Sequence, residues 1–329
     1  FELEDGEKKM VADVLASFEN VVVLLNVGAM IDTSWFAKND KVKSALLIWQ
    51  GGLEGGLAAA DMLVGDDAPS GKLVDTCAEK FEDYPSSAGF HESEDYVKYT
   101  EDIFVGYRYF ETIPGKKDAV VYPFGYGLTY TTFEISNVFV GGNEEQIFVS
   151  AKVTNTGKRA GKEVIEVYYS APEGKISKEK IALIAFQKTP LLEAGKSCTV
   201  SMTFDIRDMA SYDDTGLVKK SAYVLEAGDY RIFVGNSIKD AGKNGVRYTH
   251  TQSKTQVTKQ LTEQVAAKLL EKRLKADGSY ENIFRDDNVG IALGSQPLKV
   301  EAEAFYRKHE HAHVKFNNDA TKSGLKILT

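Results

Sequence analysis

The sequence of 329 residues is poor in cysteine, with only two, and it has no long apolar run. Cys77 and Cys198 lie far apart, so a disulfide framework or a cysteine-rich metal knuckle is not expected. Apolar runs such as Val21–Leu25 end far short of the ~18 residues that a membrane helix needs. Lys and Arg total 40 against 48 Asp and Glu, a net charge of −8. A broad electrostatic grip on a nucleic acid backbone is therefore not expected either.

The first residues resemble neither a translation start nor a secretory signal. Phe1 is not an initiator methionine, and residues 2–4 do not begin the charged-then-apolar pattern of a secretory signal. We therefore expect the chain to begin inside a longer polypeptide and to lie in the cytoplasm. Hydrophobic residues make up 43% and charged residues 27%, which is typical of globular protein of about two domains.

Residues 1–133 alternate between helix and strand patterns. Apolar residues recur at helical spacing over Glu7–Phe18 and again over Leu53–Leu63. Val21–Leu25 and Ala45–Trp49 are apolar runs without alternation, which is typical of strands covered on both faces of a parallel sheet. This order predicts an α/β layer whose strands are joined by a right-handed crossover.

The carboxyl ends of these two strands are the first candidate binding edge, since ligands of open α/β sheets lie there. The ends fall at residues 26–30 and 49–52, and both contain glycine. Trp49 could offer a flat face to a sugar ring, or it could be a core residue between turn-forming glycines. The glycines of 51–56 lack the spacing of a dinucleotide loop, and no phosphate-loop Lys-Ser or Lys-Thr pair follows, so no nucleotide cofactor is expected.

Residues 134–250 change to a period of two. Apolar side chains alternate with polar ones in several runs separated by turn residues: Ile147–Thr154, Thr199–Phe204 and Tyr230–Val234. Short alternating strands at this spacing predict an antiparallel sandwich of about seven strands. Carboxylates do not cluster with His or Cys there, so we interpret this segment as a packing or positioning module.

Residues 251–329 have weaker patterns. Apolar residues between Val257 and Leu274 predict one amphipathic helix. Three histidines alternate further along, which would place them on one face of a strand, as a metal site might: His309, His311 and His313. Because no Asp or Cys stands near them at ligand spacing, we interpret them as a solvated run and predict no metal.

A series of motifs in the first 250 residues is more specific. In chain order they are Val22–Gly28, Leu47–Gly56, Pro69–Leu73, Tyr99–Phe110 and Pro123–Phe133, then Thr154–Gly157, Ala160–Val164 and Leu225–Tyr230. The first five resemble the C-terminal α/β sandwich domain of glycoside hydrolase family 3 β-glucosidases, and the last three resemble the fibronectin type III-like module of that family. The resemblance covers about three quarters of the chain.

The resemblance implies a retaining mechanism. In the family an Asp nucleophile in a Ser-Asp-Trp-like motif lies on a separate (β/α)8 barrel, and a Glu of the α/β sandwich domain acts as acid and base, with the carboxyl groups ~5–5.5 Å apart. The two tryptophans here, Trp35 and Trp49, follow Ser and Ile, and the family's Glu would precede Phe1. We therefore expect no catalytic residue in this chain. Glu54 is the tempting substitute, but its glycine-rich context fits a helix start better.

These points combine into one expectation for the fold. We predict a partial parallel-sheet α/β sandwich over residues 1–133, a fibronectin type III-like β-sandwich over 134–250, and a helical or irregular extension over 251–329. The barrel could precede these domains or, in a reversed order, follow them. Alternatively, Val300–Phe305 could open a carbohydrate-binding module.

The expected function is a portion of a β-glucosidase that acts on terminal β-D-glucosyl residues of β-glucosides or cello-oligosaccharides, inactive without the barrel. Trp49, Gln50 and Phe90, the last in the loop of residues 85–96, are the predicted wall of its sugar pocket. A homo-oligomer is compatible with these features. The alternatives are a carbohydrate-binding or scaffolding module on a degenerate hydrolase domain, or a purely structural interaction module.

Overall fold

A computed structural model describes residues 1–94, 97–262 and 272–283. Its first part, the α/β region, holds four helices and four short strands: α1 (Asp5–Ser17), β1 (Val21–Leu25), α2 (Ser34–Ala37), β2 (Val42–Leu47), α3 (Gly55–Val64), β3 (Cys77–Ala78), α4 (Tyr107–Thr112) and β4 (Val120–Tyr122). None of the helices in the described residues is both long and apolar enough to cross a membrane.

The two strands predicted for a parallel sheet do pair in parallel, with Val23 opposite Ala45. The predicted coverage of both faces is wrong for β1, because Val22 is 50% exposed and Leu24 42% exposed, while Val23 points inward and is buried. The second strand also ends at Leu47, before Trp49. Within the described residues, β1 is therefore packed on the face that carries Val23 and open on the face that carries Val22 and Leu24.

The second part, the sandwich, is built from ten antiparallel strands: β5 (Phe133–Gly142), β6 (Gln146–Asn155), β7 (Val164–Ser170), β8 (Ala182–Lys188), β9 (Ser197–Asp205), β10 (Ser211–Asp213), β11 (Ala222–Leu225), β12 (Gly228–Gly235), β13 (Tyr248–Gln252) and β14 (Gln256–Gln260). They form sheets in the orders β5-β6-β9, β13-β12-β7-β8 and β10-β11-β14. Helix α5 (Ile238–Asn244) lies against β12.

The alternation predicted for the sandwich is confirmed by its core. The inward residues of β6 and β12 are buried: Ile147, Val149, Ala151, Val153, Tyr230, Ile232 and Val234. All of them except Ala151 belong to one cluster, which β7 and β9 complete with residues such as Val167 and Val200. Since side chains alternate across a strand, the alternation of polar and apolar residues places every second residue of β6 in this core.

The helix predicted from Val257 to Leu274 is wrong at both of its described ends. Val257 lies in β14 and faces Val224 of β11, so its backbone completes a sheet. Leu274 lies in β15 (Lys272–Leu274), which forms a hairpin with β16 (Tyr280–Asn282). A sheet edge that accepts a strand overrides a weak helical period.

The three histidines and Val300–Phe305 lie outside the described residues, and the division at residues 133 and 250 stays a prediction.

The hairpin of residues 272–283 returns to the α/β region. The Leu274 N–H donates to the carbonyl of Thr100 at 2.7 Å, and its side chain joins a core cluster with Phe104 and Phe110. The buried Arg273 guanidinium pairs with Glu281 of the hairpin at 2.7 Å and with Asp214 of the sandwich at 2.9 Å. The hairpin is thus fixed to both parts of the molecule.

Candidate functional site

The carboxyl ends of β1 and β2 bring two of the predicted pocket residues together with a glycine. A Cβ at Gly28 would lie 3.0 Å from Nε2 of Gln50, so glycine leaves room for that side chain. Gln50 is exposed and Trp49 is half-buried. The amide of Gln50 and the indole of Trp49 therefore both belong to this edge of the sheet.

Trp49 has a backbone φ of 52°, in the left-handed region that non-glycine residues rarely adopt. Holding such a residue there costs on the order of 1 kcal/mol, and residues of this kind cluster at functional sites. The sequence gives no signal for this strain, because the preceding residues predict a strand that continues through Trp49.

Glu54 is exposed and lies at the N-cap position of α3, where its side chain makes no capping hydrogen bond. Its place before the first turn is the one predicted, where a carboxylate interacts favourably with the helix dipole. Among the described residues, no group of three or more His, Cys, Asp or Glu is arranged to hold a metal ion.

Phe90, the third predicted pocket residue, lies elsewhere on the α/β region. It is 55% exposed, and its ring stands edge-on to Phe81 with the centroids 6.2 Å apart. No hydrogen bond or ring contact in the described part of the chain joins it to Trp49 or Gln50. The structure thus brings two of the three candidates together and leaves the third in a separate aromatic group.

A cleft of about 390 Å³ lies under the loop that carries Phe90. It is lined by residues of that loop, of the Thr100 segment and of the hairpin: Pro85, Ser86, Ala88, Gly89, Glu92, Lys98, Thr100, Glu101, Lys272 and Tyr280. Sequence reasoning missed this cleft. Glu101 stands inside a motif that resembles the family, but the motif did not reveal its burial, and Tyr280 fell in the segment with weak patterns.

A buried set of charges joins the α/β region to the sandwich. Lys72 pairs with Glu163 of the sandwich at 2.8 Å, and the Asn236 amide donates to the other oxygen of Glu163 at 3.0 Å. The Tyr168 hydroxyl donates to Glu166 at 2.5 Å. These carboxylates are enclosed by protein, so they act as structural links between the two parts.

Burial raises the pKa of Glu166 to about 7, an effect that the hydrogen bond from Tyr168 and the charge of Lys72 only partly offset. The Glu166 carboxylate also occupies the space beside Gly125, where a Cβ would come within 2.5 Å of it. Gly125 has φ of 78°, so this position requires glycine both for its backbone and for the approach of Glu166.

Two domain families match this chain. Residues 1–130 match the glycosyl hydrolase family 3 C-terminal domain, and residues 163–238 match the fibronectin type III-like domain. The first match lies in the α/β region, and the second lies in the sandwich. The two matched families therefore correspond to the two parts of the fold.

Curated relatives match nearly the whole chain. Beta-glucosidase A of Butyrivibrio fibrisolvens is 49% identical over 304 residues, and the match covers 88% of this chain and 36% of the relative. A beta-glucosidase of Ruminococcus albus is 40% identical over 91% of this chain and 31% of its own length. The chain thus spans about a third of the length of these relatives.

A solved structure, that of a beta-glucosidase from Paenibacillus barengoltzii, is 41% identical with a TM-score of 0.78, over 92% of this chain and 34% of the other. Sequence and fold agree with the family matches, and the chain belongs to glycosyl hydrolase family 3. The resemblance noted from its motifs is confirmed.

Proposed function

We propose that this chain is the portion of a retaining β-glucosidase that shapes the sugar pocket, while its catalytic carboxyl groups are supplied by segments outside the chain. The substrates would be β-glucosides or cello-oligosaccharides with a terminal β-D-glucosyl residue. The observation that carries the proposal is the match of nine-tenths of this chain to β-glucosidases about three times its length.

The carboxylates of the described residues support this division of work. Retention requires two carboxyl groups ~5–5.5 Å apart on either side of the scissile bond. The buried carboxylates of the sandwich are each committed to hydrogen bonds or ion pairs: Glu163, Glu166, Asp213 and Glu226. Glu54 stands exposed at the start of α3, where its side chain makes no capping hydrogen bond.

The apolar surface of the α/β region supports a large covalently linked or bound partner. No residue of α1 is buried, and in α3 Leu57 is 64% exposed and Val64 70% exposed. Several exposed apolar side chains on one region are typical of an interface. We assign this face to packing against the remainder of the enzyme, including a (β/α)8 barrel that carries the nucleophile.

In this arrangement the edge formed by Trp49 and Gln50 would be the part of the pocket wall that this chain contributes. The indole face can pack on the C–H groups of a pyranose, and the amide can both donate to and accept from hydroxyl groups. Phe90 would contribute only if the remainder of the enzyme brought its loop toward the same pocket.

The proposal is tested by comparing the isolated chain with the longer enzyme on an aryl β-glucoside. The longer enzyme should release the phenol, and the isolated chain should show no turnover above buffer. Turnover by the isolated chain would overturn the proposal, because it would place both carboxyl groups within these residues.

The pocket wall is tested in the longer enzyme with Gln50→Ala, and the exposed Gln256 of β14 provides the matched control Gln256→Ala. Loss of one hydrogen bond to the sugar should lower kcat/KM about tenfold in Q50A and leave Q256A unchanged. Equal activity of the two variants would remove Gln50 from the pocket.

The alternative of a carbohydrate-binding or scaffolding module on a degenerate hydrolase domain is not favoured. The relatives that match nine-tenths of the chain are beta-glucosidases, and no observation sets this chain apart from them.

A further inference from the structure

We propose that the cleft under the Phe90 loop is a binding site for a neutral pyranose sugar, with the Glu101 carboxylate as the acceptor for its hydroxyl groups. The site is contained within this chain, so the inference goes beyond the proposed function and does not depend on it.

The Glu101 side chain is the first argument. Glu101 is only 6% exposed, and within the described residues no donor or cation lies within hydrogen-bond or ion-pair distance of its carboxylate. Burying a carboxylate without a partner is costly. Its oxygens are not among the fully enclosed side-chain atoms, and Glu101 is one of the residues that line the cleft.

Other buried carboxylates show how unusual Glu101 is. Asp213 accepts four backbone N–H groups, at 2.7 to 3.0 Å. Glu226 accepts the backbone N–H groups of Lys175 and Ile176 and pairs with Lys178. The fold supplies several donors to each of those groups, whereas no donor in the described part of the chain is paired with the carboxylate of Glu101, which leaves its oxygens as acceptors for a ligand.

The charges around the cleft select a neutral ligand. Glu92 and Glu101 contribute two negative charges, and Lys98 and Lys272 contribute two positive ones, with Lys98 Nζ 3.7 Å from Glu92 Oε1. A balanced set of donors and acceptors suits hydroxyl groups, which do both. A metal ion is disfavoured, because the described residues contain no group of three acidic, His or Cys ligands.

The hairpin supplies the second wall. Tyr280 is 48% exposed, and Lys272 Nζ lies 4.9 Å from the centre of its ring. Arg273 and Leu274 fix the hairpin to the rest of the molecule, so Tyr280 is held at the cleft before any ligand arrives. An aromatic ring and a carboxylate in the lining of one cleft of about 390 Å³ give the combination of apolar surface and few polar groups that small-molecule sites have.

The experiment is a titration of the isotopically labelled 329-residue chain with glucose, cellobiose and the acyclic polyol sorbitol, followed by amide chemical shifts. Glucose or cellobiose should cause saturable shifts at Gly89, Thr100 and Tyr280, and sorbitol, which has no ring face, should not. Glu101→Gln should raise the dissociation constant about tenfold, because a charge-assisted hydrogen bond is lost.

Glu134→Gln is the matched control, since Glu134 is exposed on β5 and should leave affinity unchanged. Tyr280→Ala tests the second wall and should also weaken binding, with circular dichroism showing that each variant stays folded. The inference is overturned if neither sugar gives saturable shifts, if E101Q binds like the parent, if calcium alone reproduces the shifts, or if the shifts map to Trp49. None of these results alters the hydrolysis assay of the longer enzyme, so the two proposals fail separately.

Discussion

The sandwich and the α/β region differ in how many of their side chains are buried within this chain. The long strands of the sandwich place alternate residues in one core, and residues such as Ile165 and Ile232 are fully enclosed. In the α/β region α1 buries nothing and α3 buries only Ala59. The sandwich is thus stabilised by its own core, whereas the α/β region carries a surface suited to burial against a further part of the protein.

The largest expected effect is in the core of the sandwich. Ile232→Ala removes a fully buried side chain from β12 and should lower the free energy of unfolding by about 4 kcal/mol, through lost burial and the cavity that remains. Urea denaturation followed by circular dichroism measures this. Ile232→Val should cost only about 1 kcal/mol, and a similar small loss for both variants would mean that this core repacks freely.

The next effect concerns the link between the two parts and depends on pH. The pKa of Glu166 is raised to about 7 in the folded protein, so the folded state holds this proton more tightly than the unfolded state. Stability is therefore highest below the unfolded pKa of about 4.3 and falls as pH rises to 7, by about 3 kcal/mol from this group. The groups that face it are Lys72, Glu163 and Tyr168.

Glu166→Gln should flatten this dependence, and urea midpoints at pH 5 and pH 8 would show it. The exposed Glu134→Gln provides the control and should keep the parent profile. An E166Q protein that loses stability between these pH values as steeply as the parent would assign the dependence to another group.

A smaller effect, with the opposite sign in pH, is expected at Asp213. Burial pushes its pKa up, but hydrogen bonds from four backbone N–H groups outweigh this and hold the pKa below its usual value. Its contribution is therefore present above pH about 4 and is lost as pH falls through the lower folded pKa.

Asp213→Ala should cost about 2 kcal/mol at pH 7, since several buried donors lose their acceptor. Asp118→Ala, at an exposed position, should stay within about 0.5 kcal/mol of the parent. Thermal unfolding at pH 7 compares the two, and equal melting temperatures would contradict this role for Asp213.

The smallest effect on stability is expected on the exposed face of the α/β region. Leu57→Ser combined with Val64→Ser should change the free energy of unfolding by less than about 0.5 kcal/mol per site, because neither side chain is packed. The same variant should bind less of a hydrophobic dye. Phe139→Ser, a 62% exposed position on the sandwich, provides the control. A large loss of stability in the double variant would show that this face is already packed in the isolated chain.

Local patterns predicted much of the fold. The run Val21–Leu25 is β1 to the residue, and the alternation of Tyr230, Ile232 and Val234 is that of the buried face of β12. Each depends on neighbours within a few positions, which periodicity reports directly. The edge rule for parallel sheets likewise placed the segments of Gly28 and Gln50 next to each other.

Features that depend on distant contacts were out of reach. The carbonyl of Thr100 receives the N–H of Leu274, and a sheet edge at β11 draws Val257 into a strand. Neither partner is recognisable from its own segment, so a helical period was the stronger local signal. The burial of Glu101 likewise depends on distant segments, so its own segment does not predict it.

The meeting of Gly125 with Glu166 has an evolutionary consequence. Each residue belongs to a different module, yet the absence of a side chain on one is what admits the carboxylate of the other. Recombination that exchanged the sandwich alone between homologues would have to preserve this complementarity. Chimaeras that join this sandwich to an α/β region with a larger residue in place of Gly125 should assemble poorly. The two modules are thus expected to have been inherited as one unit.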